Sequence, residues 1–192
     1  MEKLTGLKNI KTAVFISGSG SNLKNLIKFS KLKKSPISID LIVSNTNLAK
    51  GLRFADQYKI KKEIFNFKNF KKAEKNILIL LKKKKIKFIC LAGFMKILSK
   101  KFIKEFNGKI INIHPSLLPK YKGLNTHSRA IKNKDKYSGC TVHYVTGMLD
   151  SGKIIMQKKV KVTVRDNPIS LAKKILKHEH KLYSAAIMKI FN

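Results

Sequence analysis

Two side chains that could act together in catalysis stand two residues apart, at the end of an apolar run and just before a proline. If residues 110–113 form a strand, Asn112 and His114 point to the same face of it, and Pro115 ends its ladder of hydrogen bonds. An amide donor beside an imidazole suits a reaction that builds negative charge on a carbonyl oxygen and moves a proton. A histidine that only caps a strand fits the same residues equally well.

A single carboxylate further along the chain could assist this pair. Asp150 lies between Gly147 and Gly152, and an aspartate in such a segment usually belongs to a turn. The chain has only ten acidic residues, however, and a carboxylate close to His114 would favour the imidazolium form. Both interpretations stay open, because the sequence does not give the distance between Asp150 and His114.

A third segment, residues 18–22, reads Gly-Ser-Gly-Ser-Asn and follows an apolar run. Glycines allow a tight turn and leave backbone amides exposed at the start of a helix, where the helix dipole favours a phosphate. Leu23 stands where a dinucleotide-binding fingerprint needs its third glycine, and no Gly-Lys-Ser/Thr follows as in a P-loop. A phosphate loop and an ordinary strand-to-helix turn with a serine N-cap are equally compatible with these residues.

The elements that must position these residues alternate between strands and helices, which is typical of a parallel α/β sheet. Ligands of such sheets bind beyond the carboxyl ends of the strands, where all three segments fall. Antiparallel strands are expected at the C-terminal edge. The predicted strands are residues 13–16, 37–43, 64–65, 86–91, 110–113, 141–145 and 154–164, and the predicted helices are residues 21–33, 48–58, 70–84, 95–106, 126–133 and 168–190.

The charge of the chain is strongly positive. Lys and Arg number 43 against ten Asp and Glu, for a formal net charge of +33. Only Arg53, Arg129 and Arg165 are arginines, whereas planar, bidentate recognition of phosphates and bases favours arginine. We therefore favour a compositional origin of the lysines, with a basic nucleic-acid-binding protein as the alternative from another functional class.

The length of 192 residues predicts one domain. Cys90 and Cys140 fall in apolar stretches and are expected to be reduced, buried thiols. His178 and His180 stand at i and i+2, which puts them on different sides of a helix, so no metal site is expected. No signal segment or apolar run long enough for a membrane span is present, and a cytoplasmic protein without a membrane association is predicted.

Taken together, the sequence resembles the phosphoribosylglycinamide formyltransferases, the folate-dependent formyl-transfer enzymes of purine synthesis. The run Ile-His-Pro-Ser-Leu-Leu-Pro, residues 113–119, is specific to the folate formyltransferase fold, and the Gly-Ser-Asn loop narrows the resemblance to this family. The similarity covers nearly the whole chain in one order. The matching stretches are residues 16–23, 91–98, 111–123, 141–146 with Leu149 and Asp150, and 178–180.

The resemblance implies a single-domain formyltransferase fold with a Rossmann-like, mostly parallel sheet flanked by helices. It implies transfer of the formyl group of 10-formyltetrahydrofolate, a co-substrate, to the amine of 5-phospho-ribosylglycinamide in the biosynthesis of IMP, without a metal. The expected partners are these small molecules, with no specific nucleic acid and no membrane, for a monomer or a homodimer. Residues 11–110 are expected to bind the ribonucleotide phosphate, and residues 111–192 to carry the catalytic and folate-loop residues.

Residue roles follow position by position from the resemblance. Asn112 and protonated His114 would donate to the oxyanion, while Asp150 would hold His114 charged and relay a proton through water. The remaining matches are Gly20, Ser21 and Asn22 at the substrate phosphate, Glu179 at the substrate, and, at the folate, Met95, Lys96, Ile97, Leu98, Thr146, Gly147, Met148 and Leu149 together with Asn112 and Asp150.

The sequence departs from the family at the folate positions. Lys96 stands where an arginine is usual, and Phe70 or Lys71 occupies the region of a second arginine. Gly147 and Met148 replace common acidic residues. Methionyl-tRNA formyltransferase, the nearest rival, needs a further C-terminal domain, and a deformylase of this fold an N-terminal one, for which 192 residues leave no room.

Overall fold

Strands and helices alternate along the chain in the computed structural model, which describes residues 9–191. Residues 1–8, where no signal segment is expected, and Asn192 lie outside the described residues. The strands are Ile10–Ile16 (β1), Ile37–Ser44 (β2), Lys62–Ile64 (β3), Phe88–Leu91 (β4), Lys109–His114 (β5), Tyr137–Tyr144 (β6) and Ile154–Lys161 (β7). The helices are Ser21–Ser30 (α1), Arg53–Gln57 (α2), Phe70–Lys83 (α3), Lys100–Glu105 (α4), Thr126–Lys132 (α5) and Pro168–Phe191 (α6).

The strands form a seven-stranded sheet, and the chain divides into two compact units at Ile110 and Ile111. In the first unit the strand order is β3-β2-β1-β4, and these strands are parallel. The central strand β1 is fully buried over Ala13, Val14, Phe15 and Ile16, as expected for a parallel strand whose two faces are both covered. The predicted parallel α/β sheet is confirmed.

In the second unit β5, β6 and β7 are neighbours and run antiparallel. Their register places Asn112 of β5 directly opposite His143 of β6. Helix α6 has a buried, mostly apolar face, and the hydroxyl of its Tyr183 donates to the Ile111 carbonyl at 3.3 Å. The predicted antiparallel strands near the C-terminus are confirmed, and with them the α/β fold class.

The helix predicted over residues 95–106 begins only at Lys100, so its first part was wrongly assigned. Ser99 is the N-cap: its Oγ accepts the Phe102 amide at 3.0 Å. The Glu74 carboxylate of α3 accepts both the Ser99 amide, at 2.7 Å, and the Ser99 hydroxyl, at 2.5 Å. These bonds hold residue 99 in an extended conformation, which leaves residues 95–98 outside the helix.

Other predicted boundaries were also wrong, including the ends of α1, at Ser30 instead of residue 33, and of β7, at Lys161 instead of residue 164. The helix expected over residues 48–58 is a 3₁₀ turn, Lys50–Leu52, followed by the short α2, because the Gly51 amide donates to the Gly18 carbonyl at 2.9 Å. Strand β6 begins at Tyr137, four residues before the predicted start. Gly139 permits this pairing, since a Cβ there would lie 2.0 Å from the Lys158 carbonyl oxygen.

Candidate active site

The end of β5 carries the amide and the imidazole that the sequence singled out, and Asp150 reaches both. Asn112 is half-buried and His114 is 5% exposed. The Asn112 Nδ2 group donates to Asp150 Oδ1 at 3.4 Å, and His114 Nδ1 lies 3.3 Å from Asp150 Oδ2. The distance between Asp150 and His114, which the sequence does not give, is therefore that of a direct contact. The three side chains form one cluster within the second unit.

Asp150 is held in place by the backbone around it. Its own backbone is left-handed, with φ of 45°, and its Oδ2 accepts the Gly123 amide at 2.9 Å. Burial raises the pKa of this carboxyl, but hydrogen bonds from His143 and Gly123 and the nearby imidazoles outweigh burial, so the net pKa is lowered. Asp150 is therefore ionised at neutral pH.

His114 is held between two acceptors. Its Nε2 lies 2.8 Å from the Tyr121 carbonyl oxygen, and its Nδ1 faces Asp150. Burial lowers the pKa of His114 below its ordinary value, while Tyr121 and Asp150 act to raise it. Without a ligand the ring is therefore neutral at neutral pH. The charge of Asp150 acts to raise the pKa of His114, but burial outweighs this effect.

Sequence reasoning assigned no role to His143, which belongs to the same cluster. Its Nδ1 lies 2.8 Å from the Tyr144 carbonyl oxygen, and its Nε2 lies 3.3 Å from Asn112 Nδ2 and 3.6 Å from Asp150 Oδ1. Its position depends on the pairing of β6 with β5. The family resemblance already covered the stretch that contains His143. Only the strand register, which the sequence does not give, shows that His143 lies beside Asn112.

The glycine-rich segment turns directly into α1, in the first unit. Gly20 is the N-cap, with a left-handed φ of 76°, and makes no side-chain cap, so the suggested serine N-cap is wrong. A Cβ at Gly20 would lie 2.5 Å from the Gly51 Cα. Ser21 and Asn22 form the first turn of α1, where the helix dipole favours an anion.

Two segments assigned to the folate carry exposed apolar side chains. Met95 and Ile97 of the first unit are 61% and 62% exposed, and Lys96 between them is exposed as well, whereas Leu98 is buried. The Met95 amide donates to Ser17 Oγ at 2.8 Å, which attaches this segment to the end of β1. In the second unit residues 146–149 are exposed, and Met148 and Leu149 present the apolar surface.

Comparison with known proteins places this chain in a family. The family profile described as "Formyl transferase" matches residues 10–187. The chain belongs to the formyl transferase family. The phosphoribosylglycinamide formyltransferase of Haemophilus influenzae is 41% identical, over 92% of this chain and 85% of that protein.

Solved structures and a larger relative agree with this membership. The crystal structure of phosphoribosylglycinamide formyltransferase from Brucella melitensis superposes with a TM-score of 0.90 at 41% identity, covering 95% of this chain and 96% of that one. The human trifunctional purine biosynthetic protein adenosine-3 is 39% identical over 95% of this chain. This chain spans only 18% of the length of that relative.

Glu179 lies on α6 and is 7% exposed. Its negative charge adds to the effect of burial on Cys140 of β6. Burial and the charge of Glu179 together raise the pKa of that thiol to about 12. Cys140 therefore stays protonated and is a poor nucleophile. Cys90 is buried too, and neither cysteine is in a disulfide.

Two other kinds of site are lacking in residues 9–191. No cluster of three or more His, Cys, Asp or Glu in this part of the chain could hold a metal ion. No helix among the same residues is both long and apolar enough to cross a membrane.

Proposed function

We propose that this chain transfers the formyl group of 10-formyltetrahydrofolate to the primary amine of 5-phospho-ribosylglycinamide, a step of de novo purine synthesis. The observation that carries the proposal is the cluster of Asn112, His114 and Asp150, in a member of the formyl transferase family. Relatives that match this chain over most of both lengths are named for this reaction.

The reaction needs an oxyanion stabiliser and a route for one proton. The substrate amine attacks the formyl carbon, the new C–N bond forms, and the bond from that carbon to N10 of the folate then breaks. Asn112 Nδ2 and His114 donate to the oxyanion; one such donor is worth about 3 kcal/mol. The amine loses a proton and N10 gains one, and ionised Asp150 passes this proton through water.

The charge state of His114 depends on the substrates. The imidazole is neutral in the unliganded protein because burial lowers its pKa. Both substrates are anions, one carrying a phosphate and the other glutamate carboxylates. Because nearby negative charge favours the imidazolium form, binding raises the pKa of His114 toward the protonated donor that the reaction uses.

Substrate binding is assigned mainly to residues outside the cluster. Residues 11–110 hold the phosphate, through the Gly20 turn and the first-turn residues Ser21 and Asn22, with support from the helix dipole of α1. Residues 111–192 hold the catalytic cluster, and Glu179 contacts the ribonucleotide. The folate lies on Met95, Lys96, Ile97, Leu98, Thr146, Gly147, Met148 and Leu149, with Asn112 and Asp150 at the reacting end.

The surroundings of the protein are part of the same proposal. We assign it to the cytoplasm, as a monomer or homodimer whose partners are its two small substrates, with no specific nucleic acid. The exposed lysines raise the local concentration of anionic substrates rather than bind a particular sequence.

One assay tests the proposal. Purified protein is mixed with the formyl folate and glycinamide ribonucleotide, and the appearance of tetrahydrofolate is followed by absorbance. We expect turnover that requires the ribonucleotide. Turnover only with methionyl-tRNA, or hydrolysis of the formyl folate by water alone, would contradict the proposal. Filter binding with tRNA and duplex DNA tests the nucleic-acid alternative in parallel.

A further inference from the structure

Tyr121, in the loop after β5, has a backbone that needs support. Its φ is 56°, in the left-handed region that side-chain-bearing residues rarely adopt. In this conformation its carbonyl oxygen lies 2.8 Å from His114 Nε2. A strained residue persists only where its surroundings hold it, so the contact to His114 depends on what anchors Tyr121.

Three side chains anchor Tyr121 in the second unit. Its hydroxyl donates to Asp135 Oδ2 at 2.8 Å and accepts from Asn133 Nδ2 at 2.8 Å. The Arg129 guanidinium covers the ring at 4.8 Å from its centroid and donates to the next carbonyl, that of Lys122, at 2.7 Å. The phenol and the following peptide are thus held from α5 and the turn after it.

The carbonyl contact decides which nitrogen of His114 bears the permanent proton. A carbonyl oxygen can only accept, so Nε2 must carry its hydrogen in this geometry. The other nitrogen, Nδ1, then carries the proton that comes and goes, and it faces Asp150 at 3.3 Å. That distance is longer than a tight charge-assisted hydrogen bond.

We propose that Tyr121, held by Asp135, Asn133 and Arg129, is a positioning residue that keeps a proton on His114 Nε2 and makes Nδ1 the nitrogen that exchanges its proton. The assignment of the two His114 nitrogens concerns the protein alone. Donation from protonated Nδ1 to the formyl oxygen rests on the proposed function. Neither Tyr121 nor Asp135 touches the reacting atoms; both act through the imidazole.

Other groups facing His114 are unchanged if only the Tyr121 hydroxyl is removed. Asp150 of the loop after β6 favours the charged ring, whereas His143 of β6 and Arg129 of α5 oppose it. His127 of α5 also interacts with His114. The Tyr121 carbonyl acts to raise the pKa of His114, so loss of its alignment lowers that pKa further.

The test is ¹⁵N NMR of the folded protein with labelled histidines, titrated from pH 8 to pH 5. In the wild type we expect the neutral His114 ring to be the Nε2–H tautomer. Tyr121→Phe removes the hydroxyl that anchors the loop, and we expect a mixture of tautomers and a fall of about 0.5 to 1 unit in the pKa of His114. Asp135→Asn should change the tautomer mixture and the pKa of His114 in the same direction as Tyr121→Phe, but by a smaller amount.

Tyr137→Phe is the matched control, since Tyr137 is exposed on β6 with Lys159 over its ring. It should leave the tautomer and pKa of His114 unchanged. A folded Tyr121→Phe protein with the wild-type tautomer and pKa would overturn the proposal, as would an Nδ1–H tautomer in the wild type. If Tyr121→Phe does not fold, Asp135→Asn decides by the same criteria.

Activity separates this inference from the proposed function. In a protein that transfers formyl groups, the loss of kcat at high pH should begin at lower pH in Tyr121→Phe, with KM little changed. A purely structural role would lower the melting temperature without moving the tautomer or the pH profile. If the wild-type protein does not transfer formyl groups but Tyr121→Phe shows the expected change of tautomer, the proposed function is overturned and the positioning role stays intact.

Discussion

At the scale of single residues, the site is a set of titratable groups whose pKa values are shifted by their surroundings. Asp150 is kept ionised by the hydrogen bonds that it accepts, while burial keeps His114 neutral until a charge arrives. Such shifted pKa values are typical of acid–base sites. The unliganded protein therefore holds the pair one proton short of the state used in the proposed reaction.

The charge of Asp150 should matter more than its shape. In Asp150→Asn the amide oxygen can still accept the Gly123 amide, but the negative charge that favours protonated His114 is gone. We expect kcat for formyl transfer to fall by about 10²-fold or more, with KM for the ribonucleotide little changed. Steady-state kinetics measure both, and Asp56→Asn, in an exposed ion pair with Lys62, is the control. Near-normal kcat in Asp150→Asn would remove this residue from the mechanism.

Buried histidines should make the fold sensitive to mild acid. Burial lowers the pKa values of His114, His127 and His180, so below pH 6.5 the unfolded chain takes up protons more readily than the folded one. The free energy of unfolding should fall as the pH drops from 7 to 5, with a decrease of a few degrees in the melting temperature. Calorimetry on the wild type and His127→Gln measures it.

The pH window identifies the groups responsible. Asp150 and Asp166 also have lowered pKa values, but an aspartate loses its contribution only as the pH approaches 4 and below. A decrease between pH 6.5 and 5 therefore belongs to the histidines, and His127→Gln should flatten it. An equal slope in His127→Gln would show that His127 does not contribute.

At the scale of elements, the turn from β1 into α1 depends on two glycines in contact. The Gly20 and Gly51 backbones approach so closely that a Cβ on either would meet the other. The 3₁₀ turn at Lys50–Leu52 and the start of α1 are therefore packed together. The phosphate-binding role proposed for this turn depends on a shape that residues 50–52 help to maintain.

Substitutions of Gly18 and Gly20, the two glycines of the loop over residues 18–22, should differ sharply in their effect on stability. Gly20→Ala places a Cβ 2.5 Å from the Gly51 Cα at a φ of 76°, and we expect a loss of about 1–3 kcal/mol in the free energy of unfolding. Gly18→Ala meets nothing within 4 Å and should change it by less than about 0.5 kcal/mol. Denaturant titration of both proteins makes the comparison, and equal losses would contradict it. A change in ribonucleotide binding is therefore better sought in Ser21→Ala than in any variant of Gly20.

At the scale of the whole molecule, the positive charge is spread along the chain rather than gathered at the site. The residues Lys82, Lys83 and Lys85 at the end of α3 and just beyond it are exposed. Cations suit the negative end of a helix dipole, which accounts for their position without a ligand. Their effect on anionic substrates acts at a distance and is screened by salt.

Replacing Lys82, Lys83 and Lys85 by Gln should leave kcat unchanged. We expect kcat/KM to fall at low ionic strength, and the difference from wild type to vanish as the Debye length shortens from about 10 Å at 0.1 M salt to about 3 Å at 1 M. Kinetics at several salt concentrations measure this. Nucleic acid should bind weakly, with a steep salt dependence and no sequence preference. A sequence-selective complex at physiological salt would overturn this view of the charge.

Local pattern was enough for the parts of the protein that local physics governs. The apolar run of β1 and its alternation with helices predicted a parallel sheet, because a strand covered on both faces must be apolar throughout. The spacing of Asn112 and His114 predicted a shared face, because side chains alternate along a strand. The boundary of α4 was missed because the Glu74 carboxylate that holds Ser99 lies 25 residues away in sequence.

Only the tertiary structure decided what these residues do together. The contact of Asp150 with His114, the presence of His143 and the Tyr121 carbonyl at Nε2 all join segments that are separate in sequence. Strand register and loop conformation set these distances, and neither is encoded in a local pattern. The protonation state of His114 is decided in the same way, because burial, the largest influence on its pKa, is a property of the folded chain.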